Sequence, residues 1–205
     1  STIIIAPSDK TKTMLVNYGI KREIVVLPTG LDLDKFSKAK MNLELVTHYI
    51  EQGGLNPTDH VLVFVGRLAK EKSIQFIIDG IKDIAVEDEN IKLVIVGSGP
   101  IEEELKHEVK SLGLSNRIVF LGRIPSENIP AVYHMADAFI SASTTETQGL
   151  TYIEAMASGL PILARYDQVV SDLVIEGETG YCFVDQATLI EVATKFFNLS
   201  QEQKQ

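Results

Sequence analysis

Short, continuously apolar runs, each closed by turn residues and followed by an amphipathic stretch, leave this chain few folds to choose from. Val61–Val65 (VLVFV) has no polar residue on either side of the pleat, the pattern of a strand covered on both faces. Comparable runs recur at Ile3–Ala6, Ile24–Leu27, Leu93–Val96, Ile118–Leu121, Ala138–Ser141, Pro161–Ala164 and Tyr181–Val184. Between them the spacing predicts helices over Asp9–Tyr18, Asn42–Gln52, Glu102–Leu112, Ile129–Met135, Thr151–Ala157 and Thr188–Asn198. Ile74, Ile77, Ile78, Ile81 and Ile84 recur at helical spacing and add one more. Glu102 and Lys106 stand at i,i+4, an exposed pair worth about 0.2–0.5 kcal/mol. Strand and helix alternating in this way predict an α/β fold, a parallel sheet with helices on both faces. In such sheets ligands bind at the carboxyl ends of the strands, so the loops leaving those ends are where chemistry is expected.

Composition narrows the function. Of 205 residues, 45% are hydrophobic and 23% charged, which excludes a largely disordered chain and suffices for a sizeable core. The 28 acidic and 19 basic side chains give a net charge of −9, which argues against a nucleic-acid partner. No apolar run approaches the roughly 20 residues that span a bilayer, and the opening STIIIAPSDK lacks the basic start of a signal peptide. The single cysteine, Cys182, cannot form an internal disulfide and is expected in a strand core, consistent with a reducing, cytoplasmic setting. His48, His60, His107 and His134 share no ligand spacing, so no metal is expected. Ser8, Ser98 and Ser143 lack the setting of a hydrolase nucleophile.

Three strand ends carry unusual residues. Gly66-Arg67-Leu68-Ala69-Lys70-Glu71-Lys72 follows VLVFV, and Arg67 with Lys72 offers a planar fork and a point charge to one phosphate. A solvated helix start with a surface Glu71–Lys pair explains the same residues. Gly97-Ser98-Gly99-Pro100 begins like a dinucleotide fingerprint, but Glu102 stands at the third glycine position, and a tight turn before a helix accounts for it. The third segment runs from Ser143 to Met156. Glu146 lies in the loop, Glu154 about a turn inside the helix, and the Gly149–Thr151 amides at the helix start make an anion site. Two carboxylates flanking such a site suit sugar hydroxyls on either side of a diphosphate. Read plainly, they are a first-turn acid and a surface helix residue.

Taken in order, these residues resemble a family. Pro28-Thr29-Gly30-Leu31-Asp32 with Phe36, Val65-Gly66-Arg67-Leu68 with Glu71-Lys72, and Leu93–Pro100 are followed by Val119–Gly122 and Ala136-Asp137. Ser143 with Glu146, Gly149-Leu150 and Glu154–Pro161 complete the series. The chain looks like the donor-binding half of a retaining GT-B glycosyltransferase of family 4, the group 1 glycosyltransferases. The resemblance implies a Rossmann-like domain over residues 31–205, with residues 1–30 as the closing strand–helix–strand and hinge of an N-terminal acceptor domain. It implies that Arg67 and Lys72 bind the donor diphosphate and stabilise the charge growing on it, without a metal or other cofactor. Glu146 and Glu154 match the family's paired glutamates, for donor sugar and ribose respectively. Gly66, Thr147, Gln148, Gly149 and Leu150 would meet sugar and phosphate, Gly97 and Gly99 would line the cleft floor, and Arg123 and Ile124 would flank the base.

Two positions depart from the family. Gln148 stands where Phe or Tyr is common, and Ser73 where Gly is common, the latter expected to alter only the helix start. Thr147–Tyr152 with Ala164-Arg165-Tyr166-Asp167 resembles bacterial diacylglycerol glucosyltransferases. That likeness implies a UDP-glucose-type donor, a membrane-lipid acceptor held by the other half, and a full-length protein peripheral at the inner face of the membrane. The readings set against it are a nucleotide-sugar epimerase and a non-catalytic nucleotide-sugar-binding module.

Overall fold

The structure, a computed structural model, describes residues 3–202. After a short strand–helix–strand unit, β1 (Ile4–Ala6), α1 (Asp9–Asn17) and β2 (Ile24–Val26), the chain crosses to helix α2 (Leu43–Gln52). It then alternates through β3 (His60–Val65), α3 (Ile74–Glu87), β4 (Ile91–Val96), α4 (Glu102–Ser111), β5 (Ile118–Gly122) and α5 (Ile129–His134). β6 (Ala138–Ser141), α6 (Leu150–Ala157), β7 (Ile162–Arg165), α7 (Gln168–Leu173), β8 (Gly180–Phe183) and α8 (Gln186–Glu202) complete it. Six strands form one parallel sheet in the order β5-β4-β3-β6-β7-β8, the doubly wound arrangement in which the strand order reverses beside β3. All eight predicted strands are present, with ends moved by a residue or two.

The apolar runs explain the layers. In β3, Leu62 and Phe64 enter the cluster formed with Ile74, Ile77, Ile78 and Ile81 of α3 and with Leu189 and Phe197 of α8. Val61 and Val63 point to the opposite face, among Phe36, Tyr133, Phe139 and Tyr152. A strand buried on both sides has no position for a polar residue, which is why its sequence reads as an unbroken run. α8 crosses α3 so closely that a Cβ on Gly80 would lie 2.4 Å from Leu189 Cδ2. The expected Glu102–Lys106 pair is present at 2.8 Å, with Glu103 adding a second contact at 3.0 Å. Cys182 departs from its expected place in the core, because it sits half-buried on the outermost strand, where burial and the nearby Glu176 carboxylate push its thiol upward.

α7 was not among the predicted helices. It has only six residues, and its signal is local: the Asp167 carboxylate accepts the Val169 N–H at 2.9 Å. The same carboxylate holds Lys10 Nζ at 2.7 and 2.9 Å, tying α1 to the end of β7. β1 and β2 pair only with each other, and Ile5, Val25 and Leu27 remain exposed.

Ser73 does more than alter a helix start. It is the one non-glycine with positive φ among the described residues (φ 49°, ψ 40°), and its side chain makes no cap to α3. A left-handed residue with a Cβ costs roughly 1–2 kcal/mol, which glycine escapes. Ser73→Gly is therefore expected to stabilise the chain by about 1 kcal/mol, raising the melting midpoint by about 2–4 °C. An unchanged or lowered midpoint in calorimetry would remove the strain argument.

Candidate functional site

β3 and β6 lie side by side, and the chain leaves them in opposite directions along the sheet. In a sheet of this order a ligand crevice is expected outside their carboxyl ends, between the loops that leave the two strands. A 3-10 turn at Lys70–Lys72 carries Lys72 across this crevice to Glu146 in the loop after β6, with Nζ 2.6 Å from Oε1. The two side chains are 25% and 12% exposed, so the pair is partly withdrawn from water. Thr145 Oγ1 adds a long hydrogen bond to the Glu71 carbonyl at 3.4 Å. Arg67, on the same β3 loop, is exposed and makes no salt bridge among the described residues. A paired Lys72 and an open Arg67 thus stand at the reversal point of a net-negative chain, with exposed Lys70 between them in the loop.

Gly97 and Gly99 prove to serve backbone against backbone. Gly97 has φ +133°, and a Cβ there would lie 1.8 Å from the Gly66 carbonyl oxygen. A Cβ on Gly99 would lie 2.2 Å from the Leu68 carbonyl oxygen. Hydrogen bonds run through this contact, from Leu68 N–H to Ser98 O at 3.0 Å and from Gly97 N–H to Gly122 O at 2.8 Å. The loops after β3, β4 and β5 are therefore stitched together, and the glycines hold the Arg67 loop in place from below.

α6 starts at Leu150 behind Gly149, whose φ of +65° lets the chain turn sharply into the helix. Glu154, one turn on, is half-buried, and burial raises its carboxyl above the ordinary value of 4.5. The Tyr133 hydroxyl, 3.2 Å from Oε2, and the charge of Lys35 pull the other way. Sequence reading assigned Tyr133 only to a helix, because 21 residues separate it from its partner.

The raised carboxyl has a consequence for stability. Well below pH 4.5 folded and unfolded chains both protonate Glu154, so its burial costs nothing there. As pH rises, the unfolded chain ionises first and the folded chain is penalised. Glu154→Gln should therefore raise the melting midpoint at pH 7, with the gain fading near pH 4, and melts at the two pH values check it. An equal gain at both would contradict a charge effect.

Thr29 Oγ1 donates to Gln148 Oε1 at 2.8 Å, so the departure from an aromatic residue at this position supplies a polar bridge. Between this bridge and the Lys10–Asp167 pair lies a cleft of about 310 Å³, with Pro7, Pro28 and Thr29 on one side and Thr147, Leu150 and Ile153 on the other. Arg123, exposed, and Ile124, packed against the core, follow β5 at the same edge of the sheet. They stand two strands from β3, roughly 10 Å along the sheet, and so flank the crevice at a distance. Among the described residues no three His, Cys, Asp or Glu side chains gather as a metal site would require.

The family model described as "Glycosyl transferases group 1" matches residues 46–205. The chain belongs to that family. Over 186 residues it is 33% identical to the alpha-monoglucosyldiacylglycerol synthase of Streptococcus pneumoniae, covering 91% of this chain and 42% of that protein. The enzyme of the same name from Acholeplasma laidlawii is 33% identical over 187 residues, covering 91% and 47%. The chain thus spans about half the length of these relatives. Among solved structures, Anabaena Alr3699/HepE in complex with UDP-glucose superposes with a TM-score of 0.82 at 22% identity, covering 100% of this chain and 55% of that one. WaaG, described as a glycosyltransferase involved in lipopolysaccharide biosynthesis, gives 0.82 at 19%, covering 96% and 54%. The GT-B fold of these neighbours agrees with the strand order of this group 1 glycosyltransferase chain. No helix among its described residues is long and apolar enough to cross a membrane.

Proposed function

We propose that this chain is the donor-binding half of a retaining hexosyltransferase that takes a UDP-sugar, of UDP-glucose type, and delivers the sugar to a lipid hydroxyl such as that of diacylglycerol. The observation that carries the reading is the Lys72–Glu146 pair at the sheet's reversal point, with Arg67 open beside it. Bond cleavage leaves the electron pair on the β-phosphate oxygen of the diphosphate. Fixed cations stabilise that growing charge in the manner of an oxyanion site, and a metal ion is not required. Arg67 supplies the fork and Lys72 the point charge, while Glu146 faces the donor sugar and Glu154 the ribose. Gly66 and the segment Thr147 to Leu150 meet phosphate and sugar, Gly97 and Gly99 shape the floor, and Arg123 with Ile124 flanks the base.

Residues 1–30 close the acceptor domain in this reading, and the cleft beside Thr147 gives the acceptor a way in. The S. pneumoniae and A. laidlawii relatives, named for a monoglucosyldiacylglycerol product, support the glucosyl group and the lipid acceptor. Their names favour transfer over the epimerase and non-catalytic readings. A cytoplasmic protein at the inner membrane face fits such an acceptor. The chain alone binds nucleotide and transfers no sugar. Calorimetry with UDP, UDP-glucose and GDP-mannose tests the donor: UDP and UDP-glucose bind, and Arg67→Ala weakens both at least tenfold. Preference for GDP-mannose overturns the donor assignment, and absence of binding by all three overturns the site.

A further inference from the structure

We infer that Tyr133 is a positioning residue for Glu154, its buried hydroxyl fixing one carboxylate oxygen so that the carboxylate faces a ribose diol. This rests on the nucleotide-sugar reading given above. Tyr133 has no exposed surface, and its ring is fixed between those of Phe36 (centroids 6.0 Å apart) and Phe139 (6.1 Å). The adjacent His134 binds the Phe36 carbonyl through Nε2 at 2.9 Å, which holds the 33–36 turn against α5. With the ring immobile, the hydroxyl has two acceptors in reach, Glu154 Oε2 at 3.2 Å and the Thr151 carbonyl at 3.3 Å. Its single proton goes to the carboxylate, the stronger acceptor of the two. That leaves Oε1 and a second lone pair on Oε2 for the ligand, matching the two hydroxyls of a ribose.

A freely rotating glutamate would have to be ordered when the nucleotide binds, whereas this one is held beforehand. The groups that act on the carboxylate are Tyr133 from α5 and Lys35 from the 33–36 turn, both favouring the charged form against burial. Ser158 Oγ, from the end of the same helix, donates to the Glu154 backbone carbonyl and leaves the carboxylate alone.

The test compares UDP with 2′-deoxy-UDP by calorimetry on this chain. Tyr133→Phe is expected to weaken UDP by about 3–10-fold, the range of one hydrogen bond, and 2′-deoxy-UDP by less than about twofold. The loss of UDP affinity on the acid side should also move to higher pH, because the carboxylate has lost a donor that favoured its charge. An unchanged UDP affinity, or equal weakening of both ligands with no movement of the acid limb, overturns the inference. Glu154→Ala separates the two levels. If it fails to erase the preference for UDP over the deoxy ligand, the ribose assignment itself falls. If it erases the preference while Tyr133→Phe changes nothing, only the role of Tyr133 falls. Should Tyr133→Phe not melt cooperatively, Glu154→Asp keeps the charge but withdraws it from the hydroxyl. It must then show the same selective loss, and wild-type UDP affinity in that variant overturns the inference.

Discussion

In the full-length enzyme proposed above, Arg67→Ala is expected to lower sugar transfer by about 10²–10³-fold while leaving the melting midpoint unchanged. Both halves of that expectation come from its position. The guanidinium is exposed and makes no salt bridge among the described residues, so the fold does not lean on it. A diphosphate gains charge as the glycosidic bond breaks, and a cation at about 4 Å contributes a gross interaction of about 4 kcal/mol before desolvation. Lys72→Ala should reduce transfer comparably but also lower stability by about 1–2 kcal/mol, because it strands the Glu146 carboxylate, which is 12% exposed. Adding Glu146→Gln to that variant should restore the melting midpoint without restoring transfer. Initial rates with UDP-glucose and parallel melts read all three variants. An Arg67→Ala enzyme that turns over at the wild-type rate would take Arg67 out of the mechanism.

The second large effect is on folding. Gly97→Ala places a methyl group where its Cβ would lie 1.8 Å from the Gly66 carbonyl oxygen, at a φ of +133° that L side chains rarely adopt. Backbone strain of about 1–3 kcal/mol and overpacking of about 1–3 kcal/mol act on the same residue. The expected loss is about 2–6 kcal/mol, or a fall in melting midpoint of about 4–24 °C. Gly113→Ala is the comparison: its φ is +70°, yet nothing lies within 4 Å of the added atom, so only the backbone contribution remains. Equal losses at the two positions would show that the contact with the β3 loop is relaxed at little cost.

How far the sequence could be read follows from the range of the forces involved. Runs such as Val61–Val65 are legible because burial on both faces leaves its mark residue by residue along one strand. The family likeness implies that Arg67, Lys72, Glu146 and Glu154 serve one site, and of these the structure pairs Lys72 with Glu146. That Lys72 and Glu146 form a pair was not legible, since 74 residues separate them and only the strand order brings their loops together. The glycines of the loop after β4 looked like ligand-approach residues or a tight turn. Their closest neighbour is the backbone of Gly66 and Leu68, a contact no local pattern announces. Ser73 was visible as an exception to the family but not as a strained residue, because strain belongs to φ and not to residue type. Tyr133 stayed hidden for the same reason as the pair: its partner is on another helix.

The stitching of the loops after β3, β4 and β5 also bears on how such a sequence can drift over generations. An insertion in any one of them would displace the carbonyls on which the other two rest. A change of length in any of the three is therefore expected to cost stability at the shared contact. The loop after β6, which meets the β3 loop through the Lys72 and Thr145 side chains, lies outside that constraint.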